Sequence, residues 1–485
     1  MQNFLDYIIK LKTFGSNTAF VSFDINGNRI NISYSKLYEL SVIFAKQLES
    51  LQIKPGDKVT LYLKDSLYWT VSFFGCQLIG AVPVTLDSNL NMEKLEEFSL
   101  GLKVKLVISQ NALTLKNDLK NYFFEKLNLQ EVVGSNKEFF TPEPGSIAQI
   151  VFTSGTTAEP KAVCLTHKNL ISNIIQLTSS VPEVTEKSKF LAVIPIHSSF
   201  QQMAGIFVPL AKGAAIVLPS VNDPSYLVKC FLKEKISVVV TAPIILKNIK
   251  LYLEKNALDK PEQQINKIPK QGFQFFICGG SSLPLDVSEF WKNLGFNILE
   301  GYGLTECSPV LTVNRPGLEV PGSVGKALVG VSLKIENGEI LAKGDNIFTD
   351  YYGDIDLSAK SFTLGGWFKT GDVGELSPQG DLFIKGRKAD VEELGPEAEE
   401  DLSFLSTYKG INEACVFNLN NEICAVLVID RNNNELIANI ANLKLKAVKS
   451  IFIWKSDSFP KNQLGKIQKF RVKNRLVLNS LQKIR

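Results

Sequence analysis

The stretch Thr153-Ser154-Gly155-Thr156-Thr157-Ala158-Glu159-Pro160-Lys161-Ala162 lies between the strand-like run Ile150-Val151-Phe152 and the apolar run Val163-Cys164-Leu165. Four hydroxyls and a glycine supply short donors and exposed backbone N–H groups, and Lys161 adds a point charge. These are the parts that hold a polyphosphate. The G-x-x-x-x-G-K-[ST] pattern is absent, so nothing supports reading the loop as that of a P-loop nucleoside triphosphatase.

Outward from this loop, short strand-like runs recur at Val59-Thr60-Leu61-Tyr62-Leu63, Lys105-Leu106-Val107-Ile108, Val238-Val239-Val240 and Phe275-Phe276-Ile277, with helical stretches between them. That alternation predicts open α/β sheets. Leu37, Leu40, Phe44, Leu48 and Leu51 fall at steps of three and four, the spacing of an amphipathic helix that Ser33 or Ser35 would cap. The most apolar window, Tyr68 to Leu86, is interrupted by Thr70, Ser72, Gln77 and Pro83, and reads as a buried helix running into a strand rather than a membrane span. The opening residues, Met1 to Asp6, lack a cationic leader followed by an apolar core, so no secretory signal is expected.

The character of the chain changes near Gly386. Beyond it, Lys388 to Leu402 is acidic and helical, and Ala414–Asn418 with Ile423–Ile429 forms a hairpin turning at Asn420-Asn421. The expected organisation is a large body, 1–386, built of packed α/β sheets with a β-rich subdomain; a hinge at 387–391; and a small mobile α+β lid, 392–485.

The chain has 485 residues, 45% apolar and 21% charged, which is globular rather than disordered composition. Lys plus Arg number 53 against 49 acids. The balance is uneven along the chain: Lys444 to Arg485 holds twelve basic residues and one acid, a local +11 that leaves −7 for the rest. Such a stretch suits a solvated surface, phosphate-bearing ligands, an acidic carrier or anionic lipid, and the overall +4 does not point to nucleic acid. Seven cysteines are scattered without C-x-x-C spacing and there are only two histidines, so a zinc set is not expected and the thiols read as packing residues of a reducing compartment.

Three further segments follow the phosphate loop in order: Glu300-Gly301-Tyr302-Gly303-Leu304-Thr305-Glu306; Trp367-Phe368-Lys369-Thr370-Gly371-Asp372 with Gly386-Arg387-Lys388; and Pro460-Lys461-Asn462-Gln463-Leu464-Gly465-Lys466-Ile467. Together they resemble the AMP-forming adenylating superfamily of acyl-CoA synthetases, luciferases and peptide-synthetase adenylation domains, and the resemblance covers nearly the whole chain. It implies a two-step reaction: a carboxylate attacks the α-phosphate of ATP with loss of pyrophosphate, and a thiol then displaces AMP. It also implies roles residue by residue. Thr153, Ser154, Gly155, Thr156, Thr157 and Lys161 would hold the β- and γ-phosphates, and Gly280 and Ser281, in Gly279-Gly280-Ser281-Ser282, would border adenine. Tyr302 would stack on adenine, Thr305 would contact the α-phosphate, and Glu306 would hold Mg²⁺. Asp372 would accept the ribose hydroxyls, Arg387 would assist, and Lys466 would be the travelling lysine that bridges carboxylate and α-phosphate.

Ile194-Pro195-Ile196-His197-Ser198-Ser199-Phe200 resembles the segment bordering the acyl pocket of fatty-acid-activating members, with His197 near the substrate carboxylate. His167, by contrast, opens a helix and reads as a capping or packing residue. No acid occurs between Ile194 and Gly213 to pair with a substrate ammonium, which disfavours an amino-acid substrate, and the apolar segment Phe200 to Leu218 suits either an acyl tunnel or ordinary core. The expected substrate is a hydrophobic, fatty carboxylic acid. Coenzyme A is the default acceptor and an acyl-carrier-protein arm the alternative. The expected location is cytoplasmic, with peripheral contact at the inner face of a membrane. The sequence departs from the family pattern at Ala158, Ala162 and Ala389, and in a shortened stretch after Arg387. Those departures motivate a rival reading as a degenerate, non-catalytic relative, which retention of Glu306, Asp372, Arg387 and Lys466 opposes.

Overall fold

Leu37, Leu40, Phe44 and Leu48 are buried along one face of the helix Tyr34–Ser50, whose N-cap Ser33 accepts from the Lys36 N–H. That face packs on the helix Ser66–Ile79, where a β-carbon on Gly75 would lie 2.7 Å from the Phe44 ring; only glycine lets the two helices approach so closely. Asp65 caps the second helix through the Leu67 and Tyr68 N–H groups, and Gly80, at φ 74°, turns it into the strand Val82–Thr85. A helix buried almost all round belongs to a protein interior. Among the described residues no helix is long and apolar enough to cross a membrane. The computed structural model describes residues 1–23, 27–116, 119–124, 138–153, 160–255, 272–419, 421–429, 434–456, 458–461, 465, 467–477 and 481–485.

Among the described residues the strands form four sheets. A seven-stranded sheet runs from Asp350–Tyr351 through Ala162–Thr166, Ile147–Phe152, Val82–Thr85, Lys58–Tyr62 and Leu106–Ser109 to Lys120–Phe123. It is parallel from Ile147–Phe152 onward and antiparallel at the first edge. A nine-stranded sheet has a parallel centre made of Ala215–Val217, Lys189–Ala192, Val238–Thr241, Phe275–Cys278 and Ile298–Tyr302. Parallel sheets with helices on their faces read as short apolar runs, which is why these strands were legible. A small antiparallel sheet joins Ser332–Glu336, Glu339–Lys343, Phe368–Leu376 and Leu382–Arg387.

The fourth sheet, Ile411–Leu419, Glu422–Ile429, Ser450–Ile453 and Gln482–Lys483, forms a separate C-terminal domain with its own core. Val416, Ala425, Leu427 and Ile451 face one apolar cluster, while Cys415, Phe417, Val426 and Val428 face another that includes Trp454, Phe459, Val472 and Leu476. The expected hairpin is present and longer than its apolar run suggested, with Leu419 opposite Glu422; Asn420 lies outside the described residues and Asn421 has φ 65°. The single helical stretch expected over Lys388 to Leu402 is instead two helices, Lys388–Leu394 and Pro396–Thr407, separated by Gly395 at φ 79°. Proline at the first position of a helix removes no hydrogen bond there but cannot continue the one before it. All seven cysteines are buried and unbridged, and burial raises the Cys76, Cys278 and Cys307 thiols well above their ordinary range.

Candidate active site

The strands Ile147–Phe152 and Ala162–Thr166 on either side of the candidate phosphate loop pair antiparallel, with Phe152 opposite Ala162. The Thr153 N–H donates to the Lys161 carbonyl at 3.0 Å, and the Lys161 N–H donates to Thr153 Oγ1 at 3.1 Å, so both ends of the loop are fixed at one mouth. Ser154, Gly155, Thr156 and Thr157 lie outside the described residues. Beside Ala162–Thr166 the edge strand Asp350–Tyr351 brings Tyr351 opposite Val163, and Lys161 Nζ sits 5.1 Å above the Tyr351 ring. The Tyr351 hydroxyl donates to Glu306 Oε1 at 2.8 Å. Burial and the Glu306 charge raise its pKa, keeping it a donor. Sequence reasoning missed Tyr351, because only the register of an edge strand links it to Lys161 and Glu306.

Glu306, nearly buried, belongs to the single 3₁₀ turn Thr305–Cys307 that follows the carboxyl end of the strand Ile298–Tyr302. Gly303 is required between them, since a β-carbon there would lie 1.9 Å from the Pro309 carbonyl oxygen. Thr305 Oγ1 and Ser199 Oγ are 3.2 Å apart, which joins the α-phosphate candidate to the His197 segment. The Tyr302 hydroxyl donates to Asp372 Oδ2 at 2.7 Å, and Arg387 Nε lies 3.1 Å from Asp372 Oδ1. Asp372 and Arg387 face each other across an antiparallel pair, so their contact is written into the strand register.

Gly280, at φ 89°, and Ser281 follow the strand Phe275–Cys278, and the Gly279 N–H points at the Thr241 carbonyl. A β-carbon on Gly279 would meet the Phe200 ring at 3.2 Å, so the adenine-side turn and the His197 segment touch. His197 Nδ1 is 3.4 Å from Asp87 Oδ1, burial lowering the imidazole pKa and Asp87 working to raise it. The segment Ile194 to Gly213 holds no acid, yet the fold brings one to it from the loop after Val82–Thr85. Met203, Ile206, Phe207, Val208 and Leu210 are core residues, within or just after a π-helix, Gln201–Phe207. That helix also buries Gln202, whose amide accepts from Gln149 and donates to the Ile196 carbonyl. His167 is a packing residue: Nδ1 accepts from the Phe4 N–H, and burial pushes its pKa down to about 4.

At the start of the C-terminal region, Lys388 Nζ pairs with Glu339 Oε2 at 2.8 Å, and Glu339 Oε1 accepts from the Gly371 N–H. Lys466 lies outside the described residues. Gly465 before it, at φ 79°, packs on Ile244, a β-carbon there falling 2.6 Å away. Ile244 stands three positions beyond Thr241, which faces Gly279, so Gly465 lies by the strand ends that carry the adenine-side turn. Lys461, at the other end of that loop, is paired with Glu413.

Gly280 and Ser281 follow the carboxyl end of the parallel strand Phe275–Cys278, and Thr305 and Glu306 that of Ile298–Tyr302, the edge at which open α/β sheets take their ligands. A family model described as AMP-binding enzyme matches residues 10–352, and the chain belongs to that family. It is 25% identical to the 3-[(3aS,4S,7aS)-7a-methyl-1,5-dioxo-octahydro-1H-inden-4-yl]propanoyl:CoA ligase of Rhodococcus jostii (strain RHA1), covering 94% of this chain and 95% of that one. It is 23% identical to the medium-chain fatty-acid–CoA ligase of Escherichia coli (strain K12), over 95% of this chain and 88% of that one. Its fold matches the ATP-bound MatB of Rhodopseudomonas palustris with TM-score 0.82, 21% identity and 96% and 98% coverage of the two chains. The O-succinylbenzoate coenzyme A synthetase of Bacillus subtilis, solved with ATP and magnesium, matches with TM-score 0.80 at 21% identity, over 96% of this chain and 99% of that one.

Among the described residues no group of three or more His, Cys, Asp or Glu could cage a metal. Glu306 offers a hard carboxylate on the Tyr351 hydroxyl beside Lys161, an arrangement Mg²⁺ accepts when substrate phosphates complete its shell.

Proposed function

We propose that the chain is an ATP- and Mg²⁺-dependent ligase that activates a hydrophobic carboxylic acid, of the fatty class, as an acyl-adenylate and passes the acyl group to the thiol of coenzyme A. One observation carries this reading. Tyr302, Asp372 and Arg387 form one hydrogen-bonded set, and Lys161, Tyr351 and Glu306 form a second at the phosphate-loop mouth. A four-residue step from Tyr302 to Glu306 joins the two, with the nearly buried turn at Thr305–Cys307 between them.

In the first half-reaction a carboxylate oxygen bonds to the α-phosphorus and the bond to pyrophosphate breaks. An anion meets an anion, so the barrier falls only where donors and cations stand ready. Lys161 and Arg387 supply fixed positive charge, Thr305 and Ser199 supply hydroxyls, and Lys466 acts at the reacting oxygens. Mg²⁺, when bound, would screen the phosphate charge, with Glu306 to hold it. In the second half-reaction the thiolate sulfur bonds to the acyl carbon, and AMP leaves with the bonding pair. The lid would comprise residues 392–485, turning about 387–391. Coenzyme A is favoured over a carrier protein by the relatives' names, and a fatty acid would be collected in the cytoplasm at a membrane face.

The test is acid-dependent exchange of labelled pyrophosphate into ATP across short to long fatty acids, aromatic acids and amino acids, followed by thioester formation with coenzyme A. Exchange with a fatty acid and conversion to its thioester are expected. Silence across the whole panel would remove the ligase reading, and exchange confined to amino acids would remove the substrate assignment.

A further inference from the structure

Leu364 is fully exposed, more so than any other large apolar side chain among the described residues. It does not sit on a loose loop. Phe362 and Phe368 face each other across an antiparallel bridge, and both rings pack on Phe348. Beyond that bridge the Thr363 N–H donates to the Trp367 carbonyl at 2.9 Å, the Gly366 N–H to the Thr363 carbonyl at 2.9 Å, and the Trp367 N–H to Thr363 Oγ1 at 3.2 Å. Gly366, at φ 72°, lets the turn close. A closed, hydrogen-bonded turn therefore holds the leucine out in water.

Cations surround this tip. Side chains alternate along a strand, so Trp367 and Lys369 lie on the face opposite the buried Phe368. Leu341 pairs with both Lys334 and Lys369, which puts these lysines in one row on the outer face of the small sheet, and Lys343, two residues along, shares that face. Lys334 Nζ sits 5.0 Å above the Trp367 ring, and Lys343 Nζ donates to the Gly365 carbonyl at 3.2 Å, directly beside Leu364. Lys360 ends the helix Ile355–Lys360, three residues before Thr363. Lys334 pairs with Glu336 at 3.2 Å, but among the described residues no carboxylate pairs with Lys343, Lys360 or Lys369.

A lone exposed leucine needs no partner. One fixed by a closed turn, backed by an indole and ringed by lysines without carboxylates, has the layout of a contact. A protein pocket would answer the leucine alone. The indole and the lysines together answer a negatively charged interface laid over an apolar interior. We propose that the tip 363–367, with Lys343, Lys360 and Lys369, is a docking surface for a bilayer of anionic lipid. Leu364 enters the acyl boundary, Trp367 lies at headgroup depth, and the lysines meet lipid phosphates. Delivery of a fatty acid from that bilayer to the site rests on the ligase reading; the docking itself does not.

Leu364, Lys343 and Lys360 are exposed, so Leu364→Ser and the double variant Lys343→Gln with Lys360→Gln should fold as the parent does, with equal urea midpoints. Co-sedimentation of the full chain is measured with vesicles of phosphatidylcholine alone and of equal parts phosphatidylcholine and phosphatidylglycerol, at low and high salt. The parent should bind the anionic vesicles at least tenfold more tightly than the neutral ones and be released by salt. Leu364→Ser should lose at least fivefold and the lysine pair at least tenfold, each lysine near such a surface being worth roughly fivefold. Pyrophosphate exchange with acid supplied in solution should stay at the parent rate in both. All seven cysteines are buried, so an environment-sensitive thiol dye on Leu364→Cys reports the tip, and its emission should shift to the blue on anionic vesicles only. Vesicle binding that survives both variants, or a dye that stays in water while the chain sediments, places the contact elsewhere and overturns the proposal. A parent that leaves both vesicles alone overturns it too; if that parent self-associates and Leu364→Ser makes it monomeric, the tip belongs to a second copy of the chain. Absence of exchange in the parent would count against the ligase reading and leave the vesicle measurement standing.

Discussion

Asp372 has one oxygen on the Tyr302 hydroxyl and the other near Arg387, so the carboxylate proposed to take the ribose hydroxyls is fixed in place. Charge-assisted hydrogen bonds are worth about 1.5–3 kcal/mol each. Asp372→Ala should therefore raise KM for ATP in pyrophosphate exchange by at least tenfold, while Tyr302→Phe, which leaves Asp372 present but less firmly held, should raise it by less than that. An unchanged KM in Asp372→Ala would take the ribose role away from it. Lys466→Ala should behave differently: removal of one preorganised transition-state contact costs about 3 kcal/mol, a hundredfold or more in exchange rate, with ATP affinity nearly kept. Exchange at the parent rate would refute that role. Tyr302, Thr305, Glu306, Asp372 and Arg387 were singled out because each stands in a short local motif with its own chemistry. Ser199, Tyr351 and Asp87 were not singled out, since each reaches the site through a partner on a distant segment: Thr305, Glu306 and His197 respectively.

The proposed hinge holds one ion pair and one strand end. Lys388 opens the helix Lys388–Leu394 directly after the strand Leu382–Arg387, and its ammonium is held by the nearly buried Glu339 of the neighbouring hairpin. The Glu339 hydrogen bond raises the Lys388 pKa. Glu339→Gln keeps an acceptor for the Gly371 N–H and removes the charge, so it should loosen the start of that helix without unfolding the hairpin. Pyrophosphate exchange should fall about two- to fivefold while thioester formation from preformed acyl-adenylate keeps its rate, as single-turnover measurements of the two half-reactions would show. Equal losses in both halves would mean that the pair supports the hairpin rather than the hinge. Strands were the most legible elements, their apolar runs being short and bounded by turns. The helix break at Gly395-Pro396 was passed over although two residues that end helices mark it, whereas the π-turn at Gln201–Phe207 leaves no period to read in an apolar run.

Across the whole molecule, the −7 and +11 read along the chain are not two opposed surfaces. Lys446, Lys461, Lys469 and Lys473 are answered by Glu400, Glu413, Asp390 and Glu393, so much of the basic tail is paired within its own region. No sequence count could show that pairing, because the partners lie on separate helices and strands that only folding brings together. Charge that is not answered has a pH signature. Glu300, on the strand Ile298–Tyr302 next to Cys278, is pushed up to about 7 by burial, with Lys292 pulling weakly the other way. In the unfolded chain a glutamate titrates near 4.3. The folded pKa is the higher one, so the protonated carboxyl favours the fold; its contribution is fully present below about pH 4.3 and is lost as pH rises through 7. A gap of that size is worth at most about 3.7 kcal/mol, less what residual solvent screens. Glu300→Gln keeps the size and the neutral state, so parent and variant should have equal urea midpoints at pH 4 and diverge upward, the variant being more stable by about 1–3 kcal/mol at pH 8. A variant no more stable than the parent at pH 8 would mean that the folded carboxylate is compensated by a partner, and that the strand leading to Tyr302 does not carry this uncompensated charge.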